Sequence, residues 1–108
     1  MAKASDELTA RYEELVDVVP EADRKLVFGS PTCLVGGNMF FGVHPTGLFV
    51  KLPAEAAEEL LAEGGSAFMP MPGRPMGGFW TLPEGDVTDW VRRSYEYALT
   101  LPAKKPRR

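Results

Sequence analysis

The sequence predicts an α+β fold, an antiparallel sheet packed on one face by helices. Three observations carry this. Apolar stripes at three- and four-residue steps lie near both ends of the chain, with a glutamate-rich helical segment between them. The first two helical segments are separated by runs rich in Val, Phe and Leu, broken by tight-turn residues. Strand runs joined by hairpins and set between isolated helices favour antiparallel over parallel pairing.

The first helix is expected over about 5–19. Ser5 is its N-cap, and Asp6 and Glu7 place negative charge in the first turn, where the helix dipole favours it. Leu8, Tyr12, Leu15 and Val19 form one stripe, and Pro20 stops it. β signals come next in "RKLVFG" and "TCLVGGNMFFGVHPTGLFVKLP". "GGN" at 36–38 reads as a hairpin turn that uses residues tolerant of positive φ, and "HPTG" at 44–47 as a type I turn. The expected meander has strands near 31–36, 38–44 and 47–52. Simple alternation in the middle strand puts Met39, Phe41 and Val43 on one face and Phe40 and Gly42 on the other. With an aromatic on both faces, either that strand is central and covered, or Phe40 marks a surface for a partner.

Pro53 suits the first position of a second helix, with Ala57, Leu60, Leu61 and Ala54 inward. Glu55, Glu58, Glu59 and Glu63 face outward; nothing opposes them at metal-ligand spacing, so they read as a solvated face. Gly64 or Gly65 ends the helix. "GFWTLP" is a short strand. Gly85 or Asp86 opens a third helix striped by Val87, Trp90, Val91, Ser94, Ala98 and Leu101, and Pro102 closes it. The order is helix, three strands, helix, one or two strands, helix.

The 108 residues fit one domain, here 1–102, followed by a basic tail, 103–108. Four of the 12 basic residues (Lys104, Lys105, Arg107, Arg108) lie in that tail, which leaves eight against 15 acidic ones, about −7 for the body. An acidic body is a poor match to a phosphate backbone, so direct sequence-specific nucleic-acid binding is not expected. The N-terminus has no apolar signal core, and no apolar run approaches the roughly 20 residues that span a bilayer; the expectation is a cytoplasmic protein without membrane contact.

Chemistry-bearing residues are few. Cys33 is the lone cysteine and His44 the lone histidine, and hairpin pairing from the 36–38 turn sets Cys33 opposite residue 41 or 42, away from His44. Both read as structural: Cys33 a small buried hydrophobe, His44 a turn residue. No phosphate loop, serine elbow or histidine metal motif is present. No catalytic residue, cofactor or metal is expected.

One stretch stands out, "FMPMPGRPMGGF" at 68–79. Prolines 70, 72 and 75 fix φ and hold the chain extended, with methionines 69, 71 and 76 expected to fill gaps beneath it. Arg74 is the only charge between Glu63 and Glu84. It is expected to pin the segment by an internal ion pair or carbonyl cap; the alternative is recognition of a carboxylate or phosphate from a stiff loop. Trp80, alternating with Phe79, is read chiefly as core, with a place on the exposed face as a partner anchor as the alternative.

"FMPMPGRPMGGFWTLP", preceded by "NMFFGVHPTGLFVKLP" and followed by "WVRRSYEYALTLP", resembles the N-terminal domain of TfoX (also called Sxy), a bacterial family known from regulators of natural competence. The resemblance covers about 20–102. It implies a two-layer α+β fold of about five strands in the order α-β-β-β-α-β-β-α, with "FMPM" as the fourth strand and "GGFWTLP" as the fifth. Longer members carry a second, C-terminal domain that these 108 residues do not contain, and "VFGS" stands where the family has "MFGS". The implied role is a non-enzymatic domain of competence or transcription regulation that acts through a protein partner, with Arg74, Met71, Met76, Trp80 and Phe40 as candidate contacts. The alternative is an anionic small-molecule site under the Pro/Met loop, using Arg74 and open to enzymatic use. A homodimer formed through an unpaired sheet edge is compatible with either.

Overall fold

Helix α1 (Asp6–Leu15) is capped as its sequence dictates: the Ser5 hydroxyl accepts from the Leu8 amide at 3.2 Å. The structure is a computed structural model that describes residues 5–27, 30–69, 71 and 73–102. A short 3₁₀ turn (Val16–Val18) carries the first helix on to Val19. Four strands come next: β1 (Asp23–Val27), β2 (Ser30–Val35), β3 (Asn38–His44) and β4 (Gly47–Lys51). Helix α2 (Ala54–Ala62), strands β5 (Ser66–Ala67) and β6 (Phe79–Thr81), and helix α3 (Thr88–Leu99) complete the chain order. The sheet runs β1-β2-β3-β4-β6-β5 and is antiparallel throughout.

The α+β class, the helix order and the meander agree with the expectation. The sheet has six strands where about five were expected, because Asp23–Val27 also pairs, against residues 30–34. Strand β1 is an outer strand, exposed along most of its length, with Leu26 72% exposed. Its first three residues, Asp23, Arg24 and Lys25, are charged, a common means of discouraging edge pairing.

The β2–β3 turn is tight because both central residues, Gly36 and Gly37, take positive φ (59° and 80°). Asn38 therefore begins β3, and its Nδ2 donates to the Pro102 carbonyl at 2.9 Å, tying the end of the last helical turn to the first hairpin.

Simple alternation fails in β3. Cys33 pairs with Phe41, but Leu34 pairs with Met39, so Phe40 is an extra residue, a β-bulge. The insertion shifts the face of everything before it. Phe40, Phe41 and Val43 all enter the helix-side core at 0% exposure, and Met39 passes to the opposite face, away from Phe41. Phe41 stacks on Tyr12 of α1 at 5.1 Å, and Phe40 meets Tyr95 of α3 at 5.5 Å.

The helix-side core joins Tyr12 and Leu15, Ala56 and Leu60, and Trp90, Val91 and Ala98 to the sheet residues Cys33, Leu48 and Val50. In α2 the buried stripe is Ala56, Ala57 and Leu60. Ala54 is exposed and Leu61 is 44% exposed, contrary to expectation, because the helix docks on the face that carries Ala56, Ala57 and Leu60, and Leu61 is turned about 100° from Leu60. Glu59 and Glu63 serve as structural partners for α3: Arg93 bonds Glu59 at 2.9 Å, and the Trp90 indole donates to Glu63 at 3.1 Å. Among the described residues no group of acidic, His or Cys side chains could hold a metal ion. No described helix is long and apolar enough to cross a membrane.

Candidate functional site

The second face of the sheet carries a smaller aromatic cluster, Phe49, Phe68 and Phe79, with Met39 packed against it. Phe68 is its keystone. It is 3% exposed, stacks on Phe49 at 4.5 Å and receives the edge of His44 at 5.3 Å. Burying one such ring is worth about 1.5–3 kcal/mol, and each aromatic pair adds about 0.5–1.5 kcal/mol.

Phe68 fixes the base of an arm. The Met76 amide donates to the Phe68 carbonyl at 2.8 Å, the Phe79 amide to the Met76 carbonyl at 3.2 Å, and the Leu52 amide to the Gly78 carbonyl at 3.1 Å. At the tip, Met71 and Arg74 form an isolated antiparallel bridge, with the Arg74 amide donating to the Met71 carbonyl at 3.0 Å and Gly73 at φ +73°. The proline-methionine stretch is thus a narrow hairpin arm anchored by one phenylalanine. The expected strand "FMPM" is only partly realised, since regular pairing stops at Ala67. Pro70, Pro72 and the basic tail 103–108 lie outside the described residues.

The methionines do not fill gaps under the arm. Phe68 occupies that place, and Met69, Met71 and Met76 are 43%, 60% and 37% exposed. Arg74 is also exposed, and among the described residues its guanidinium has neither the expected ion pair nor a carbonyl cap. Two candidates lie on the helix side of the sheet, away from the arm. Phe40 is fully buried by the bulge. Trp80 pairs with Val50 and packs on the helix-side core; its Nε1 is buried and has no partner among the described residues. The exposed candidates are therefore Met71, Arg74 and Met76, with Met69 exposed beside them.

Cys33 and His44 do not meet. The Cys33 thiol is 1% exposed and lies 3.4 Å from the Tyr12 hydroxyl. Burial pushes that thiol up, opposed in part by the tyrosine hydrogen bond, and burial raises the Tyr12 phenol too. His44 Nδ1 accepts from the Thr46 amide at 3.2 Å and lies 2.9 Å from its hydroxyl, which fixes the neutral tautomer with hydrogen on Nε2. Desolvation holds this imidazole below its ordinary value. Neither group has a second reactive partner among the described residues.

One feature escaped the sequence. A groove of about 370 Å³ lies beside the arm, lined by Met39, Lys51, Met76, Phe79, Tyr97 and Leu101. The Lys51 ammonium sits 4.7 Å above the centre of the Phe79 ring. The bulge that carries Met39 to this face has no sequence signature of its own.

The profile of the TfoX N-terminal domain family matches residues 13–98, most of the chain. The chain belongs to the TfoX N-terminal domain family. No curated protein and no solved structure matches it. The matched region runs from the last turn of α1 through nearly all of α3 and so includes the arm and the bulge, while Leu101 at the rim of the groove lies beyond it.

Proposed function

We propose that this TfoX-type domain is a non-enzymatic protein-interaction module of bacterial competence or transcription regulation, and that it engages its partner through the methionine arm. The observation that carries the reading is the anchored arm, which presents Met69, Met71, Met76 and an exposed Arg74 to solvent. Methionine side chains adapt to irregular apolar surfaces, and a guanidinium on a proline-stiffened turn loses little freedom when it meets a carboxylate. The matching partner surface is an apolar pocket rimmed by an acidic residue. The acidic body supports a protein in place of a nucleic acid as partner.

The test is affinity capture from the source cell with the full chain as bait. A protein retained by the wild type should be lost with Met71→Ser/Arg74→Glu. It should be kept by Leu99→Ser, which alters an exposed apolar residue elsewhere. Retention of the same protein by the arm variant, or no specific protein in any sample, refutes the reading.

A further inference from the structure

The groove beside the arm has a composition that the arm does not share. Its walls are two methionines, Phe79, Leu101 and Tyr97, with Asn38 and Pro102 at one side, and Lys51 is the cation among its lining residues. Among the described residues the ion pairs are Arg24–Glu13 and Arg93–Glu59, so Lys51 has no carboxylate of its own there. Its ammonium lies over the Phe79 ring, and the residue is partly buried. A cation with no carboxylate partner in a partly apolar groove favours an anionic visitor, and the attraction strengthens as the visitor displaces water. About 370 Å³ lies at the small end of ligand sites. One amine matches a single negative charge, and flat walls of thioether and ring match a flat apolar body.

We propose that this groove binds a small aromatic carboxylate, with the carboxylate on Lys51 and the ring between Met39 and Met76. The site shares Met76 with the arm but not its tip, Met71 and Arg74, and does not depend on the partner reading.

The test uses the full chain with isotope-labelled methionine methyl groups, titrated with naphthoate and, separately, with its neutral amide, naphthamide. The methyl signals of Met39 and Met76 should move together and saturate with naphthoate, while that of Met71 stays in place. Naphthamide should bind about tenfold more weakly or worse, the usual scale for losing a charge-assisted contact. Lys51→Met should abolish the difference between the two probes, and Arg74→Ala should leave it unchanged. If Lys51→Met does not fold, the ratio of the two probes on the wild type decides. Equal affinity for acid and amide overturns the proposal, as does movement confined to Met69 and Met71. A flat titration, expected if a protein segment fills the groove, also overturns it.

Discussion

Gly42→Ala is the sharpest probe of how the second face supports the arm. A Cβ at position 42 would lie 2.6 Å from Phe49 Cζ, 2.9 Å from its Cε2 and 3.1 Å from the Pro31 carbonyl oxygen. Gly42 and Phe49 are direct cross-strand partners, so the ring lies over the bare glycine. That ring cannot simply swing aside, because Phe68 stacks on it at 4.5 Å and Phe79 meets it at 5.8 Å. Overpacking of this kind costs about 1–3 kcal/mol. Removing glycine's freedom in the unfolded chain returns about 0.4–1 kcal/mol. The net loss should be about 1–2 kcal/mol, or about 5–15 °C in Tm for a chain of this size. Urea and thermal unfolding measure it. In a Phe49→Leu background the clash is relieved, and Gly42→Ala should become nearly neutral, a coupling of about 1 kcal/mol. A neutral Gly42→Ala in the wild type, or the same cost in both backgrounds, would refute the packing argument.

Two further predictions concern pH. Burial raises the Cys33 thiol in the folded chain, so its share of stability is intact below the unfolded value, about 8.5, and is lost as pH rises toward the folded one. Stability should fall by up to about 1.4 kcal/mol per pH unit just above that point; Cys33→Ala should flatten the fall, and an unchanged slope would refute the assignment. His44 runs the other way: burial lowers its imidazole, so its contribution is present above about 6.5 and is lost as pH falls through the depressed folded value. Tm measured from neutral to mildly acidic pH should decline, and His44→Gln should remove part of that decline; a variant that tracks the wild-type curve would show that Thr46 and Phe68 do not sense the ring's charge.

Much of the architecture was legible because local rules and tertiary packing agree. Ser5, Pro20, the glycine pair at 36–37 and the stripe Trp90, Val91, Ser94, Ala98 each point to one structure, and that structure is found. What failed to show depends on long-range pairing. The bulge at Phe40 is set by how β2 aligns with β3, and no rule of alternation within β3 reveals it. Both the loss of Phe40 as a surface residue and the arrival of Met39 at the groove result from it. Within the stretch 68–79 the expected roles were exchanged. Phe68 took the buried place because a ring can stack on Phe49, which left the methionines outside. Lys51 drew no notice in the sequence, since a lysine at the end of a strand is commonplace until Phe79 is placed beneath it.

The bond from Asn38 to the Pro102 carbonyl has a mechanical consequence. It fixes the exit point of the polypeptide at the lip of the recess that Lys51 and Tyr97 help to form. Asn38 and Pro102 both line that recess, so loss of this one amide would loosen two of its walls at once.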